Sequence, residues 1–203
     1  MKKTLIVVIV LAAIVLIARP FFCNGKREDK SANGKPEEKQ KPISSGENSD
    51  AFNKSFTELL DAYNELKNAL VASDAVKAST AAQTLRTASD SLKVNEIKGD
   101  STGVIKENAL SYTSTITGSA QALVTEKDIE GKRKEFANIA DALYTLTHVV
   151  RYNGKKLYWE YCSMAFDNKG AYWISYEREI KNPYFGSKMM TCGSVEDSID
   201  YSK

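Results

Sequence analysis

The chain has 203 residues, with 28 Lys and Arg against 26 Asp and Glu, a formal net charge of +2. That length fits one domain of ordinary size plus tails. So small an excess of positive charge gives no argument for nucleic-acid binding, which needs a basic face to displace phosphate counterions, and no nucleic-acid partner is expected.

The N-terminus reads as an export signal. Lys2 and Lys3 precede an unbroken apolar run from Leu5 to Ala18, the layout of a signal sequence, with its positive end left in the cytoplasm. No Ala-x-Ala-like cleavage site follows; the next residues are Arg19, Pro20, Phe21 and Phe22. Residues 1–23 are therefore expected to be an uncleaved signal anchor, in which Leu5 to Phe22 spans the membrane provided that Arg19 snorkels to the interface. The alternative is a lipoprotein signal ending at Cys23, although Phe22 stands where such signals carry a small residue. Both readings attach the chain to the inner or outer membrane by its N-terminus and turn the rest toward the periplasm. Residues 24–48 are rich in Lys, Glu, Gly, Ser and Pro and nearly devoid of large apolar side chains. They cannot bury enough surface to offset their ordering entropy and read as a flexible tether.

Four stretches of helical periodicity follow within residues 49–203. In the first, Phe52, Phe56, Leu59, Leu60, Tyr63, Leu66 and Leu70 form an apolar stripe, with Glu58, Asp61, Glu65 and Lys67 expected off it. The second runs from about Asp74 to Lys93 with a thinner stripe of Ala78, Ala82, Leu85, Ala88 and Leu92, whose small residues let a neighbour approach closely. Gly99, Asp100 and Gly103 mark a break. The third stripe is Ile105, Ala109, Tyr112, Ile116, Ala120 and Leu123. The fourth is predicted to open on Thr125 and Asp128 at capping-box spacing, to continue through Phe136, Ile139, Ala140, Leu143, Leu146 and Val150, and to stop at Gly154. The expected fold is mainly α, an antiparallel four-helix bundle with a small C-terminal β-hairpin and an irregular Cys/Met segment over residues 154–203. In that segment Leu157 to Tyr161 predicts one strand, Asp167 to Gly170 a turn, Ala171 to Tyr176 a second strand, and Asn182-Pro183 another turn.

Sulfur is segregated along the chain. Apart from Met1 and Cys23, every Met and Cys lies between Cys162 and Cys192, namely Cys162, Met164, Met189, Met190 and Cys192. Thiolates and thioethers select soft ions such as Cu(I) over hard cations. On a strand Cys162 and Met164 would share a face, and on a helical turn so would Met189 and Cys192. His148, the single histidine, is expected within reach and would add an imidazole. Each residue also has a plainer use. His148 complements the dipole of a helix C-terminus, the methionines fill gaps in an aromatic core, and Cys162 and Cys192 form a disulfide contributing roughly 3–4 kcal/mol on chain-entropy grounds.

The ordered strings Cys162-Ser163-Met164, Trp173-Ile174-Ser175, Asn182-Pro183-Tyr184-Phe185-Gly186 and Met189-Met190-Thr191-Cys192-Gly193, with Ala69 to Asp74 and Arg133 to Phe136 in the helices, resemble an uncharacterised bacterial periplasmic domain family, domain of unknown function 3347. Its members occur alone or appended to membrane-fusion adaptors of copper and silver efflux pumps. The resemblance covers about residues 50 to 200. It implies a helical domain and a link to heavy-metal handling. The family usually carries Pro after the first Cys, where this chain has Ser163.

The expected function is a membrane-tethered module that binds or delivers Cu(I) through Cys162, Met164, Met189 and Cys192, with Met190 and His148 as additions, and a metal-efflux adaptor or metallochaperone as partner. The alternative is a protein-interaction domain with a structural Cys162–Cys192 disulfide, using Trp159, Tyr161, Trp173, Tyr184 and Phe185 as contacts. With one His, no glycine-rich phosphate loop and no GxSxG, catalysis is not expected.

Overall fold

The computed structural model describes residues 48–202. The expected signal anchor or lipoprotein signal at 1–23, with Cys23, and the tether up to residue 47 lie outside the described residues. Four long helices come first: α1 (Asp50–Val71), α2 (Ala75–Asp90), α3 (Val104–Thr125) and α4 (Ile129–Val150). Three strands follow, β1 (Leu157–Cys162), β2 (Ala171–Ser175) and β3 (Ser194–Ile199). The protein is thus mainly helical, with a small antiparallel sheet of strand order β2-β1-β3 at its C-terminal end. Among the described residues, no helix is long and apolar enough to cross a membrane.

The helical stripes bury as their periodicity dictates. Phe52, Phe56, Leu59, Tyr63, Leu66 and Leu70 of α1 are all in the core, as are Ala78, Ala82 and Leu85 of α2 and Ala109, Ile116, Ala120 and Leu123 of α3. Consecutive helices pack on one another, α1 on α2, α2 on α3 and α3 on α4. The alanine face of α2 permits one such close approach, and Ser89 Oγ donates to the Thr113 carbonyl at 3.1 Å across it.

Several boundaries differ from the sequence expectation. Asn48 belongs to the fold and not to the tether, because its Nδ2 donates to the Val150 carbonyl at 2.7 Å and joins the start of α1 to the end of α4. The cap of α4 is Asp128, whose Oδ1 accepts from Gly131 N at 2.8 Å. Thr125 is the last residue of α3, and its hydroxyl donates back to Ala122 O, so the expected capping box does not form. Helix α4 stops at Val150, before Gly154, since Arg151 takes the left-handed conformation at φ 50°.

Lys67 is the clearest departure. It was expected on the solvated side of α1, yet it is only 4% exposed. The reason is that α1 has a second covered face: Lys67 Nζ donates to Ser175 Oγ of β2 at 3.2 Å. Four residues earlier, the hydroxyl of Tyr63 accepts from Ile174 N at 3.1 Å. The sheet therefore lies on α1, and β2 also packs on α4.

The predicted hairpin is present, with Trp159 opposite Ile174 and Cys162 opposite Ala171. Its connection turns through Phe166, Asp167 and Asn168, all at positive φ. The expectation of a two-stranded unit is corrected by β3, which pairs with the free edge of β1 through a bulge at Trp159/Glu160. Strand β3 reads Ser-Val-Glu-Asp-Ser-Ile and buries only Ile199 fully, so no apolar alternation announced it.

Candidate functional site

The two cysteines that end the sheet and close the last loop meet. Cys162 is the final residue of β1 and is fully buried; Cys192 is half-buried, and both are free thiols. Their Sγ atoms lie 3.1 Å apart although 30 residues separate them in the chain. The hydrogen bond with Cys162 Sγ, together with burial, holds the Cys192 thiol above its ordinary pKa.

Asn182 is the residue that positions Cys192. Its Nδ2 donates to Cys192 O at 2.7 Å, and its backbone N–H to Met190 O at 2.8 Å. Its Oδ1 accepts from Tyr184 N at 2.8 Å and Phe185 N at 3.1 Å, so one fully buried amide clamps the Asn-Pro-Tyr-Phe-Gly turn to the Met189–Cys192 turn. The latter is closed by Cys192 N donating to Met189 O at 3.1 Å. Gly193 then passes the sheet so closely that a Cβ there would lie 2.8 Å from Tyr161 O and 2.9 Å from the Trp173 ring.

The turn is fixed to the helices by Arg133. Its Nε donates to Pro183 O at 2.8 Å, and one terminal nitrogen to Ser73 Oγ at 3.0 Å and Leu70 O at 3.4 Å, while the other pairs with Glu130 at 2.6 Å. A Cβ on Gly186 would strike Ser73 Oγ at 2.5 Å and Val71 O at 2.7 Å, and Gly186 adopts φ +56°. Three strings separated in sequence, Ala69 to Asp74, Arg133 to Phe136 and Asn182 to Gly186, therefore converge on one guanidinium. The Asn-Pro pair signalled a turn in the sequence; nothing in it signalled which carbonyls Asn182 and Arg133 would take.

The methionines are not core filling throughout. Met164 is 46% exposed and Met190 36% exposed, while Met189 is half-buried. The expected strand relation between Cys162 and Met164 fails because β1 ends at Cys162 and Met164 is in the right-handed helical region, φ −87° and ψ −10°. His148 is placed apart from the thiols: its Nδ1 is 2.7 Å from Tyr201 OH, and its ring meets Tyr144 edge-on at 4.6 Å. Tyr201 follows Ile199, which pairs with Leu157 at the start of β1. Cys162 lies five residues further along that strand, roughly 17 Å away at about 3.4 Å per residue. Of the expected aromatic contacts, Trp173, Tyr184 and Trp159 are buried, whereas Tyr161 and Phe185 remain half-exposed. Trp159 is sandwiched between Tyr144 at 4.0 Å and Tyr172 at 5.0 Å, and Tyr172 also meets Tyr161 at 4.3 Å.

A second polar cluster lies between sheet and helices. Glu160 in β1 is 0% exposed, and neither of its carboxylate oxygens, nor Nε1 of Trp173 opposite it, has a hydrogen-bond partner among the described residues. Burial pushes the Glu160 carboxyl up to about 7 against the opposing pull of Lys67, and burial likewise lowers Lys67. Among the described residues no group of three or more His, Cys, Asp or Glu could hold a metal ion.

Residues 59–154 match the model of a family described as a protein of unknown function, DUF3347. This stretch is a DUF3347 domain. Neither the curated proteins nor the solved structures compared with the chain include a match. The DUF3347 match begins inside α1 and ends at Gly154, before β1, so the thiol pair and the loop that carries it lie beyond it.

Proposed function

We propose that this protein is a periplasmic module, tethered to the membrane by its N-terminal apolar run, in which an antiparallel four-helix bundle carries a sheet that holds Cu(I) between Cys162 and Cys192. The observation that supports this reading is the 3.1 Å contact of the two thiols at the edge of the sheet. The donor set is soft, which favours Cu(I) over hard cations, and Met164 and Met190 present thioethers to solvent that a purely structural use would have buried. An ion held between the two sulfurs needs them further apart than their 3.1 Å contact, so the pair would have to open. Cys192, on a loop and half-buried, is the side that can give. Handing the ion to a metal-efflux adaptor or metallochaperone follows from the resemblance of the C-terminal strings to domains appended to such adaptors.

Anaerobic competition of the reduced full chain, in detergent, against a strong Cu(I) chelator tests the reading. The wild type should hold Cu(I) about tenfold or more tightly than a Cys162→Ser/Met164→Leu double variant, a difference of about 1.4 kcal/mol or greater. Equal competition by the two would end it. A second reading, an interaction domain stapled by a Cys162–Cys192 disulfide, draws on the same contact and on exposed Tyr172; a bond that reductant and Cu(I) both leave intact would favour it.

A further inference from the structure

The two thiols are not equivalent. Cys162, the last residue of β1, is fully buried, whereas Cys192 borders an open depression of about 490 Å³ whose walls include Tyr161, Ser163, Tyr172, Ser194 and Glu196. A molecule arriving from solvent meets one sulfur only. The other waits 3.1 Å behind it, the arrangement of an attacking and a resolving cysteine. The Asn182 clamp holds Cys192 in place through its carbonyl, without using the sulfur.

We propose that Cys192 is a thiol–disulfide exchange site for a low-molecular-weight disulfide with a cationic or zwitterionic arm, and that Cys162 resolves the mixed disulfide. The Cys192 thiol gives its proton to solvent, and its thiolate attacks one sulfur of R–S–S–R, forming Cys192–S–S–R and releasing RS⁻. The Cys162 thiol then loses its proton and attacks Cys192 Sγ, the second RS⁻ leaves, and the Cys162–Cys192 bond closes. Two electrons pass from the cysteine pair to the incoming disulfide, and the two protons end on two RSH. The Glu196 carboxylate in the wall, with Oε1 2.5 Å from Ser194 Oγ, sets the charge preference by repelling anionic disulfides. The inference rests on the proposed metal role for its purpose, because an oxidised pair offers no thiolate to an ion; the exchange itself needs no metal.

The test uses the reduced full chain in detergent, in a Cys23→Ser background, with metal excluded and cystamine as the probe. Intact mass should show a single cystamine adduct accumulating on Cys162→Ser, at least about tenfold faster than any adduct on Cys192→Ser. The chain with both cysteines should lose two hydrogens and keep no adduct. Because Cys162 is buried and its variant could misfold, the two-cysteine chain is also quenched with acid early and its peptides mapped, which should place the first mixed disulfide on Cys192. Oxidised glutathione, which is anionic, should react more slowly than cystamine, with the gap narrowing in Glu196→Gln. First modification at Cys162, equal rates at the two sites, or a mixed disulfide that never resolves would overturn the proposal. Cu(I) affinity is measured separately, so either result can fail while the other stands.

Discussion

Glu160 carries a charge problem that one measurement resolves. The carboxyl sits in β1 with both oxygens buried and unpaired among the described residues. Burial, with a smaller push from Glu177, opposes the ionised form and outweighs the pull of Lys67 and the facing Trp173 indole, moving the group from 4.5 to about 7. The native state therefore keeps a proton that the unfolded chain has already released between those values. Stability contributed by this proton is full below about pH 4.5, falls as pH rises toward 7 and levels off above, by on the order of 3 kcal/mol in all. Asp141 is shifted in the same direction, and Asp74 and Asp100 in the opposite one, so the decisive quantity is a difference between variants. Glu160→Gln should remove the fall between about pH 5 and 7 seen by thermal unfolding, and should melt higher than the wild type near pH 8. A variant that keeps the wild-type slope would show that another group titrates.

Among the elements, the junction of α3 and α4 separates what local spacing says from what the backbone does. Asp128 satisfies the first-turn N–H of Gly131, while the Thr125 hydroxyl merely returns to its own helix at Ala122. Asp128→Ala should therefore lower the unfolding free energy by about 1 kcal/mol, and Thr125→Ala should leave it within about 0.5 kcal/mol, both read from denaturant melts. Comparable losses from the two would restore the capping box. The helical stripes themselves were legible because their period is local: Phe52 to Leu70 and Phe136 to Val150 bury at the spacing the sequence shows. Charged residues that the sheet covers were not legible, because Lys67 and Arg133 look like solvated positions until β2 and the Asn182 turn arrive from over a hundred and about fifty residues away. Lys132 is buried for a different reason, its ammonium donating to Leu123 O and Glu126 O at the end of α3 and to Ser79 Oγ of α2. Strand β3 escaped notice since its partner, and not its own pattern, makes it a strand. Of the site, the gathering of sulfur was visible in the sequence and the meeting of Cys162 with Cys192 was one of its readings. The separation of His148 and the outward methionines depends on where β1 begins and ends.

At the scale of the molecule, the DUF3347 match stops at Gly154, yet the core does not. Phe136 of α4 stacks on Tyr63 of α1 at 5.1 Å and meets Tyr184 at 5.9 Å, and Tyr184 in turn packs on Trp173 and donates its hydroxyl to Tyr172 O. Phe56 stacks on Tyr152 at 4.7 Å. Removing residues 155–203 would strip Trp173, Ile174, Leu157 and Tyr184 from that core and leave Phe136 and Tyr63 facing water. Each fully buried side chain of this size contributes about 1.5–3 kcal/mol, and whole domains are stable by only about 5–15 kcal/mol, so the helices alone fall short. A chain ending at Gly154 should retain helical far-ultraviolet circular dichroism, lose its near-ultraviolet signal, bind a hydrophobic dye and melt without a sharp transition. If it instead melted cooperatively at the full-length midpoint, the sheet would be an appendage on a self-sufficient bundle. The burial of Lys67 and Arg133 against the C-terminal segment argues for the first outcome: Lys67 Nζ takes Ser175 Oγ, and Arg133 Nε takes Pro183 O, from the last fifty residues.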